Sequence, residues 1–195
     1  SLLKALGTFN AEVYVTEESD VIKKADALIL PGVGSFESGM NGLQLRGLVD
    51  VVREFASQNK PVMGICLGAQ LMLTEGNEFG IFRGLNIIPG RVVRFPPLAL
   101  DEKVPQIGWN TIVPPQGIDW KDTIFKSING GDQVYFVHSY IFVPRDAGDI
   151  LGLTTYGGHD FCSAVKKGKI YGCQFHPEKS GVVGLSILEN FVTSI

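Results

Sequence analysis

The sequence predicts a three-layer α/β domain, with a largely parallel sheet and an antiparallel extension. In the first half of the chain, short apolar segments alternate with helical patterns, and strands separated by helices pair in parallel through right-handed crossovers. In the second half, short strands follow one another with glycine and proline between them. The chain has 195 residues, 45% of them hydrophobic and 19% charged, so we expect a single domain over residues 1–195.

The elements of the first half follow from hydrophobic periodicity and from the residues at their boundaries. Apolar runs next to proline and glycine predict buried strands, and segments with one apolar face predict helices. Ser19 is expected to cap a short helix. The predicted helices cover residues 1–9, 19–24, 38–57 and 67–73, and the predicted strands cover residues 12–16, 26–30 and 60–65.

The second half contains mainly strands. Residues 160–175 resemble a hairpin that turns at Lys167-Gly168. A closing helix is predicted over residues 182–193, where apolar residues again follow a helical period. The predicted strands cover residues 91–95, 111–113, 133–137, 151–156, 161–165 and 170–175.

The composition excludes several functional classes. A net charge of -3 with no basic run argues against nucleic acid or an anionic membrane as the main partner. No apolar stretch reaches the length of about 18 residues that a membrane span needs. The three cysteines are an odd number without the close spacing of a metal site. We therefore expect a cytoplasmic protein with reduced thiols and no metal.

A candidate nucleophile lies where a predicted strand meets a predicted helix. Gly64-Ile65-Cys66-Leu67-Gly68 matches the G-x-nucleophile-x-G turn, with cysteine as the nucleophile. Small residues are needed on both sides because the tight turn presses them against neighbouring backbone. The turn exposes the thiol at a helix N-terminus, which favours thiolate. The alternative is a structural cysteine in a glycine-rich turn, and the strand-turn-helix context favours the nucleophile; Cys162 and Cys173 are expected in the core.

A candidate base follows the strand predicted over residues 170–175. His176 can hold the thiolate and later protonate a leaving amine. Glu178, two residues on, is placed on the same side of an extended segment, where its carboxylate can orient the imidazole. His159 is expected in an exposed turn. His138 ends a predicted strand, and it either lines the pocket or is a hydrogen-bonded structural histidine.

A glycine-rich loop, Pro31-Gly32-Val33-Gly34, follows another predicted strand and can direct backbone N–H groups at an oxyanion. The motifs LPGVGSF, GICLGAQLM, YFVHSY and QFHPEKSG, in this order and spread over nearly the whole chain, resemble the class I glutamine amidotransferases. These flavodoxin-like domains release ammonia from glutamine. Within the family, GWN and HPEKSG are similar to the branch that supplies a separate (β/α)8-barrel cyclase in histidine biosynthesis.

The resemblance implies a role for each matching residue, without a cofactor. Cys66 is the implied nucleophile, with His176 as its base and Glu178 as the acid that orients the base. The implied oxyanion donors are Val33, Gly34 and Leu67. Residues implied to bind L-glutamine are Gln70, Glu78, His138, Ser139 and Tyr140, with Glu75 as the alternative to Glu78. Trp109 and Lys179 are implied to face the barrel cyclase in a heterodimer.

Other hypotheses about the function stay open at this point. Residues 95–103 and 114–122 differ somewhat from the histidine-pathway branch, and a related group of glutaminases supplies ammonia for amino-sugar modification in surface polysaccharides. A cysteine hydrolase acting on peptides and a non-catalytic binding module are further alternatives. The family normally has a strand and a D-Y-G-x-G-N-L loop before the first helix of this chain, so we expect that Ser1 is not the natural start.

Overall fold

The computed structural model describes residues 1–98 and 102–194 of the chain. Part of the segment 95–103 and the last residue therefore lie outside the described residues. The helices are α1 (Leu2–Leu6), α2 (Ser19–Lys24), α3 (Phe36–Leu45), α4 (Leu48–Ser57), α5 (Leu67–Leu71) and α6 (Gly181–Val192). The strands are β1 (Leu28–Gly32), β2 (Val62–Cys66), β3 (Leu73–Gly76), β4 (Phe82–Arg83), β5 (Ile88–Arg94), β6 (Gln106–Thr111), β7 (Gln133–His138), β8 (Tyr140–Pro144), β9 (Ile150–Tyr156), β10 (His159–Lys167) and β11 (Ile170–Cys173).

The described strands form one large mixed sheet and a separate pair. The large sheet has the order β1-β2-β11-β10-β8-β5-β3-β4, with β9 also paired to β10. The strands β1, β2 and β11 run parallel, as do β3 and β5, and the other pairs of the large sheet are antiparallel. The pair β6-β7 is antiparallel. The predicted α/β class is confirmed, and the antiparallel extension contains more strands than the parallel part.

The parallel part of the sheet is buried on both faces. Every residue of β2 is buried, which explains its uninterrupted apolar sequence. Successive side chains alternate between two core clusters: Val62 belongs to the cluster that contains Phe55 of α4, and Met63 to the cluster that contains Leu188 of α6. Helices therefore cover both faces of the sheet, which gives the three predicted layers.

Several helix predictions change in the structure. The helices predicted over residues 1–9 and 67–73 end earlier, at Leu6 and Leu71. The single helix predicted over residues 38–57 is wrong, because α3 and α4 are separated at Arg46-Gly47. Gly47 adopts φ 67°, a left-handed conformation that a helix interior does not accommodate. Ser19 does not cap α2, because it lies inside the helix and Glu18 occupies the capping position.

The strand predicted over residues 12–16 is also wrong. Its alternating pattern is typical of a strand, but no described strand pairs with it, and Tyr14 and Val15 are exposed. A strand needs a partner as well as propensity. Strands β3, β4 and β8 were not predicted, and β6 lies earlier than the strand predicted over residues 111–113. The hairpin of β10 and β11 is confirmed, with its turn at Lys167-Gly168.

The strand β1 continues through Pro31-Gly32, where the sequence analysis placed its end. Among the described strands, β1 pairs only with β2, so it lies at an edge of the sheet. Proline, which has no N–H to donate, is tolerated in a strand at such an edge. As a result, the glycine loop begins beyond Gly32. None of the described helices combines the length and the apolar character needed to cross a membrane.

Candidate active site

The chain turns sharply at Cys66, between β2 and α5. Cys66 has φ 52° and ψ -114°, in the left-handed half of conformational space that residues with a side chain rarely adopt. Such a conformation costs about 1–3 kcal/mol and is typical of functional sites. The turn places the thiol at the carboxyl edge of the parallel strands, where α/β sheets bind ligands.

Two glycines permit this turn. A Cβ atom on Gly64 would lie 2.5 Å from Cα and 2.7 Å from N of Ala69. A Cβ atom on Gly68 would overlap the carbonyl oxygen of Leu30 and lie 2.6 Å from its carbonyl carbon. Because these neighbours are backbone atoms, they cannot move aside as a side chain can. The spacing of the G-x-C-x-G motif is therefore a packing requirement of the turn.

His176 lies just beyond β11 and begins a single turn of 3₁₀ helix, Pro177–Lys179. Its Nδ1 atom is 2.9 Å from Oε1 of Glu178, and the two side chains are 6% and 9% exposed. The backbone N–H of His176 donates to the carbonyl of Tyr135, at 2.9 Å. The carboxylate of Glu178 thus holds the imidazole, and the carbonyl of Tyr135 holds the backbone of His176. The two side chains meet as predicted, but across a 3₁₀ turn and not along the extended segment that the sequence analysis expected.

The surroundings of His176 favour its protonated form. Burial lowers the pKa of His176, but hydrogen bonds to Cys66 and Glu178, together with their negative charges, raise it to about 9. Burial also acts on Glu178, but the hydrogen bond and the charge of His176 hold the pKa of that carboxyl below its usual value. The arrangement therefore keeps an imidazolium between the sulfur and the carboxylate near neutral pH.

A pocket of about 260 Å³ opens beside Cys66 and His176. It is lined by nearly all the residues that the sequence analysis assigned to the site: Val33, Gly34, Cys66, Leu67, Gln70, Glu78, His138, Ser139, Tyr140, His176 and Lys179, together with Val137. Glu178 lies behind His176. A larger cavity, of about 540 Å³, lies where β2 and β11 begin, away from all of these residues. The chemistry of the lining, and not the volume, identifies the smaller pocket as the candidate site.

The glycine loop after β1 forms one wall of the pocket. Val33 is 82% exposed, and Gly34 has φ 108°, a conformation that favours glycine. A carboxylate oxygen of Glu78, Oε2, accepts a hydrogen bond from the backbone N–H of Phe36 at 2.7 Å. Glu78 therefore holds the first residue of α3, just after the glycine loop, while it lines the pocket. Glu75 instead lies in β3, opposite Arg83, and is not among the lining residues that the structure describes.

His138 lines the pocket and is also a hydrogen-bonded structural residue, so both interpretations of this histidine apply. Its Nδ1 atom is 2.8 Å from the carbonyl of Tyr140, and its Nε2 atom is 2.8 Å from the side-chain amide of Gln106. Burial lowers the pKa of His138 to about 4. The imidazole is then neutral at pH 7, and its single N–H can donate to one of these two oxygens, the carbonyl of Tyr140 or Oε1 of Gln106. Ser139 follows His138, so the junction of β7 and β8 supplies this wall of the pocket.

One buried residue beside the nucleophile was missed by the sequence analysis. The side chain of Gln174 is fully buried, and its Nε2 atom lies 3.8 Å from Sγ of Cys66. Its Oε1 atom accepts a hydrogen bond from Nε2 of Gln70 at 3.0 Å. A signal for it existed in the sequence, because Gln174 stands two residues before His176 and an extended chain points such residues the same way.

Trp109 and Lys179 lie at the rim of this region. Trp109 is on β6, 53% exposed, and its ring packs edge-on against Tyr135 with 5.9 Å between centroids. Ile107 and Val182 are also exposed nearby on β6 and α6, so apolar surface surrounds the ring. Lys179 is exposed and lines the pocket. Both positions are compatible with the predicted contact with a partner.

The remaining cysteines and histidine lie away from the pocket. Cys162 and Cys173 are buried in β10 and β11, and burial raises the pKa of both thiols. His159 begins β10, half-buried, 3.0 Å from the carbonyl of Pro97, so the turn itself is made by Gly157-Gly158. In residues 1–98 and 102–194, no three side chains of His, Cys, Asp or Glu are grouped closely enough to hold a metal.

Comparison with known proteins gives the same family as the motifs. The model of the family "Glutamine amidotransferase class-I" matches residues 1–195. The chain is 44% identical over 196 residues to "Imidazole glycerol phosphate synthase subunit HisH 1" of Legionella pneumophila (strain Lens), covering 98% of this chain and 92% of the relative. It is 46% identical over 196 residues to the HisH subunit of Archaeoglobus fulgidus, covering 100% and 92%.

Solved structures agree on the fold. A crystal structure of a glutamine amidotransferase superimposes with a TM-score of 0.70 at 20% identity, covering 97% of this chain and 91% of the other. The glutaminase domain of Trypanosoma brucei CTPS superimposes with a TM-score of 0.61 at 16% identity, covering 98% and 87%. The three-layer α/β architecture is therefore that of known glutaminase domains.

Proposed function

Since this chain belongs to the class I glutamine amidotransferases, we propose that it hydrolyses L-glutamine to glutamate and ammonia at Cys66, as the glutaminase subunit of an imidazole glycerol phosphate synthase. The observation that carries this proposal is the convergence of Cys66, His176 and Glu178 at the carboxyl edge of the parallel strands. Relatives of this name are 41–46% identical over nearly the whole chain and support histidine biosynthesis as the pathway.

Glutamine binds with its side-chain carboxamide beside Cys66 and its amino-acid end toward Gln70 and Glu78. One oxygen of Glu78 is engaged by the N–H of Phe36, and the second is free to accept from the substrate ammonium. The neutral imidazole of His138, held by Tyr140, adds no positive charge next to that ammonium. These residues select a small zwitterionic amino acid over a peptide, whose chain continues past both ends.

In the first chemical step, the Cys66 thiolate attacks the carboxamide carbon and the carbonyl oxygen becomes an oxyanion. Backbone N–H groups of Leu67 and of the Val33-Gly34 turn stabilise that oxyanion. The imidazolium of His176 donates its proton to the amide nitrogen, the C–N bond breaks, and ammonia leaves. A thioester between Cys66 and the glutamyl group remains.

In the second step, neutral His176 removes a proton from water, and the resulting hydroxide attacks the thioester carbonyl. The tetrahedral intermediate collapses, the C–S bond breaks, and the side-chain carboxylic acid leaves and gives its proton to solvent, which yields glutamate. The sulfur departs as thiolate and His176 retains the proton, which restores the starting ion pair. Glu178 holds the imidazole in one orientation through both steps, as in other nucleophile-base-acid triads.

The partner in this proposal is a separate (β/α)8-barrel cyclase, which receives the ammonia in a heterodimer. The support is the exposed apolar surface around Trp109, next to the pocket rim at Lys179. Aromatic residues on an exposed surface of this kind are typical anchors of protein interfaces. We also place the reaction in the cytoplasm, because the mechanism needs Cys66 reduced and the three described cysteines are free thiols.

The test is glutamine hydrolysis by the chain assembled with its cyclase. Cys66→Ala should lower the rate by several orders of magnitude, because the members of a catalytic unit act together. Cys162→Ala is the matched control: Cys162 is also buried, but it donates to the carbonyl of Ala164 and lies outside the pocket. Retained activity in Cys66→Ala, or equal loss in the control, contradicts the proposal.

A further inference from the structure

Gln174 lies directly behind the pocket but does not line it. It stands between β11 and His176, and its side chain has no exposed surface. A buried amide is costly unless its polar atoms are hydrogen-bonded, so its partners reveal what it does. The backbone N–H of Gln174 donates to the carbonyl of Ser163 at 2.9 Å, which anchors the backbone from which the side chain extends.

The two ends of the Gln174 amide have different partners. Its oxygen accepts a hydrogen bond from the Nε2 atom of Gln70 at 3.0 Å. Its nitrogen lies 3.8 Å from the Cys66 sulfur, within the range of an N–H···S hydrogen bond. Because the oxygen is taken by Gln70, the N–H end of the amide must face the sulfur.

The Cys66 sulfur forms different hydrogen bonds as a thiol and as a thiolate. The thiol can donate to the carbonyl oxygen of Val137, which lies 3.8 Å from it. The thiolate can only accept, so the Val137 carbonyl disfavours it, while the N–H groups of Gln174 and His176 favour it. Gln174 therefore supplies a donor on the side of the sulfur away from the pocket.

The same amide also orients Gln70. With its nitrogen donating to Gln174, the oxygen of the Gln70 amide is left for the pocket that this side chain lines. An oxygen there can accept from the substrate ammonium, whereas an amide turned the other way would present N–H groups to it. The orientation of Gln70 thus depends on a residue that the substrate never touches.

We propose that Gln174 is a positioning residue for glutamine hydrolysis, which stabilises the attacking form of Cys66 with one end of its amide and orients Gln70 toward the substrate with the other. This inference rests on the function proposed above. It predicts that one substitution affects both the nucleophile and substrate binding, which a residue that only fills the core would not do.

The experiment compares Gln174→Met and Gln174→Leu with the wild-type chain. Both variants replace the amide with an apolar side chain of similar size, so the hydrogen bonds to Gln70 and to the Cys66 sulfur are both lost. Asn190→Leu is the matched control, because Asn190 is a buried amide with bonds to Ile124 and Ser127, remote from the pocket. Three quantities are measured: alkylation of Cys66 by iodoacetamide across pH, kcat and KM for glutamine in the complex with the cyclase, and thermal unfolding.

At about pH 7, alkylation of Cys66 in the Gln174 variants should be about threefold to tenfold slower than in the wild type and should recover as the pH is raised. The kcat of the complex should fall by a similar factor, and the KM should rise about threefold to tenfold. If Gln174 acts on the substrate through Gln70, Gln70→Leu and the double variant Gln70→Leu, Gln174→Met should have the same KM. Asn190→Leu should lower the Tm without changing the alkylation rate of Cys66, the kcat or the KM.

An alkylation profile identical to that of the wild type in a folded Gln174 variant, or KM effects of Gln70→Leu and Gln174→Met that simply add, would overturn the inference. Neither result affects the proposed function, which fails separately if Cys66→Ala retains glutaminase activity. If one Gln174 variant does not fold, the other provides the comparison.

Discussion

Gly68→Ala is the substitution that tests the sharp turn at Cys66 most stringently. The added Cβ would lie 2.6 Å from the carbonyl carbon of Leu30, whereas ordinary contacts begin near 3.4 Å. The Cβ would also overlap the carbonyl oxygen of Leu30, which is closer still, so backbone of β1 or α5 must move by more than about 1 Å. Overpacking of this kind costs about 1–3 kcal/mol, and we expect the upper end because no side chain can yield. For a chain of this length, about 3 kcal/mol lowers the Tm by about 6–12 °C.

The activity of Gly68→Ala should fall as well. A shift of this size displaces the N–H of Leu67, and loss of one oxyanion donor costs about 100-fold to 1000-fold in kcat. Gly42→Ala is the matched control, because Gly42 lies inside α3 and its Cβ would meet only the guanidinium of Arg46, at 3.4 Å. Alanine there should raise the Tm by about 1–4 °C, since glycine weakens a helix interior.

Differential scanning fluorimetry of the chain and glutamine turnover by the complex measure the two effects. A Gly68→Ala variant whose Tm lies within about 2 °C of the wild-type value and whose kcat is unchanged would refute the reasoning. The structure would then not require glycine at this turn, and the G-x-C-x-G spacing would need another explanation.

Three further predictions concern charge and surface. Because the pKa of His176 is raised to about 9, the stability it contributes is complete below about pH 6.5 and is lost as the pH rises through about 9. Glu178→Gln should therefore lower the free energy of unfolding by about 1–2 kcal/mol near pH 6 and by less at pH 10. Chemical denaturation at the two pH values measures the difference. Glu78→Gln should raise the KM for glutamine about 10-fold to 100-fold, because a charged hydrogen bond to the ammonium is lost, as steady-state kinetics will show. Trp109→Ala should weaken binding of the cyclase about 30-fold or more with little change in Tm, because the ring is 53% exposed in the free chain.

Two of these predictions have a control variant in the same chain, and the third is checked by comparing two pH values. Glu75→Gln should leave the KM nearly unchanged, and a larger effect there than at Glu78 would reassign the substrate carboxylate to Glu75. Leu45→Ala removes an apolar side chain that is 87% exposed on α3, and it should not affect binding of the cyclase. A stability difference between wild type and Glu178→Gln that is constant from pH 6 to pH 10 would contradict the assigned ion pair.

Local sequence patterns predicted the parts of the fold that local physics determines. The strand β2 and the turn at Cys66 were predictable because a short apolar run and two glycines leave few alternatives. The helix α6 was predictable from its apolar period. Residues 12–16 have the alternation of a strand but lack a described partner, and no local pattern reports on a partner.

At the candidate site, chemistry and spacing predicted that Cys66, His176 and Glu178 lie together, and the structure brings them together; their catalytic roles stay predictions. Gln174 was not predicted, because its one local signal is its position two residues before His176; its importance comes from contacts with Gln70 and Cys66 that are far away in sequence. The hydrogen bond between Glu78 and the N–H of Phe36 could not be predicted either, since the two groups lie 42 residues apart and meet only after the chain has folded.

The central claim is that Cys66 is the nucleophile that attacks glutamine. A glutamine analogue with an electrophilic carbon in place of the carboxamide tests it most directly, when it is added to the chain assembled with its cyclase and the labelled peptide is identified by mass spectrometry. The account predicts one label on Cys66, none on the buried Cys162 and Cys173, and protection by excess glutamine. A label on another residue, or labelling of Cys66 that glutamine does not slow, would contradict it.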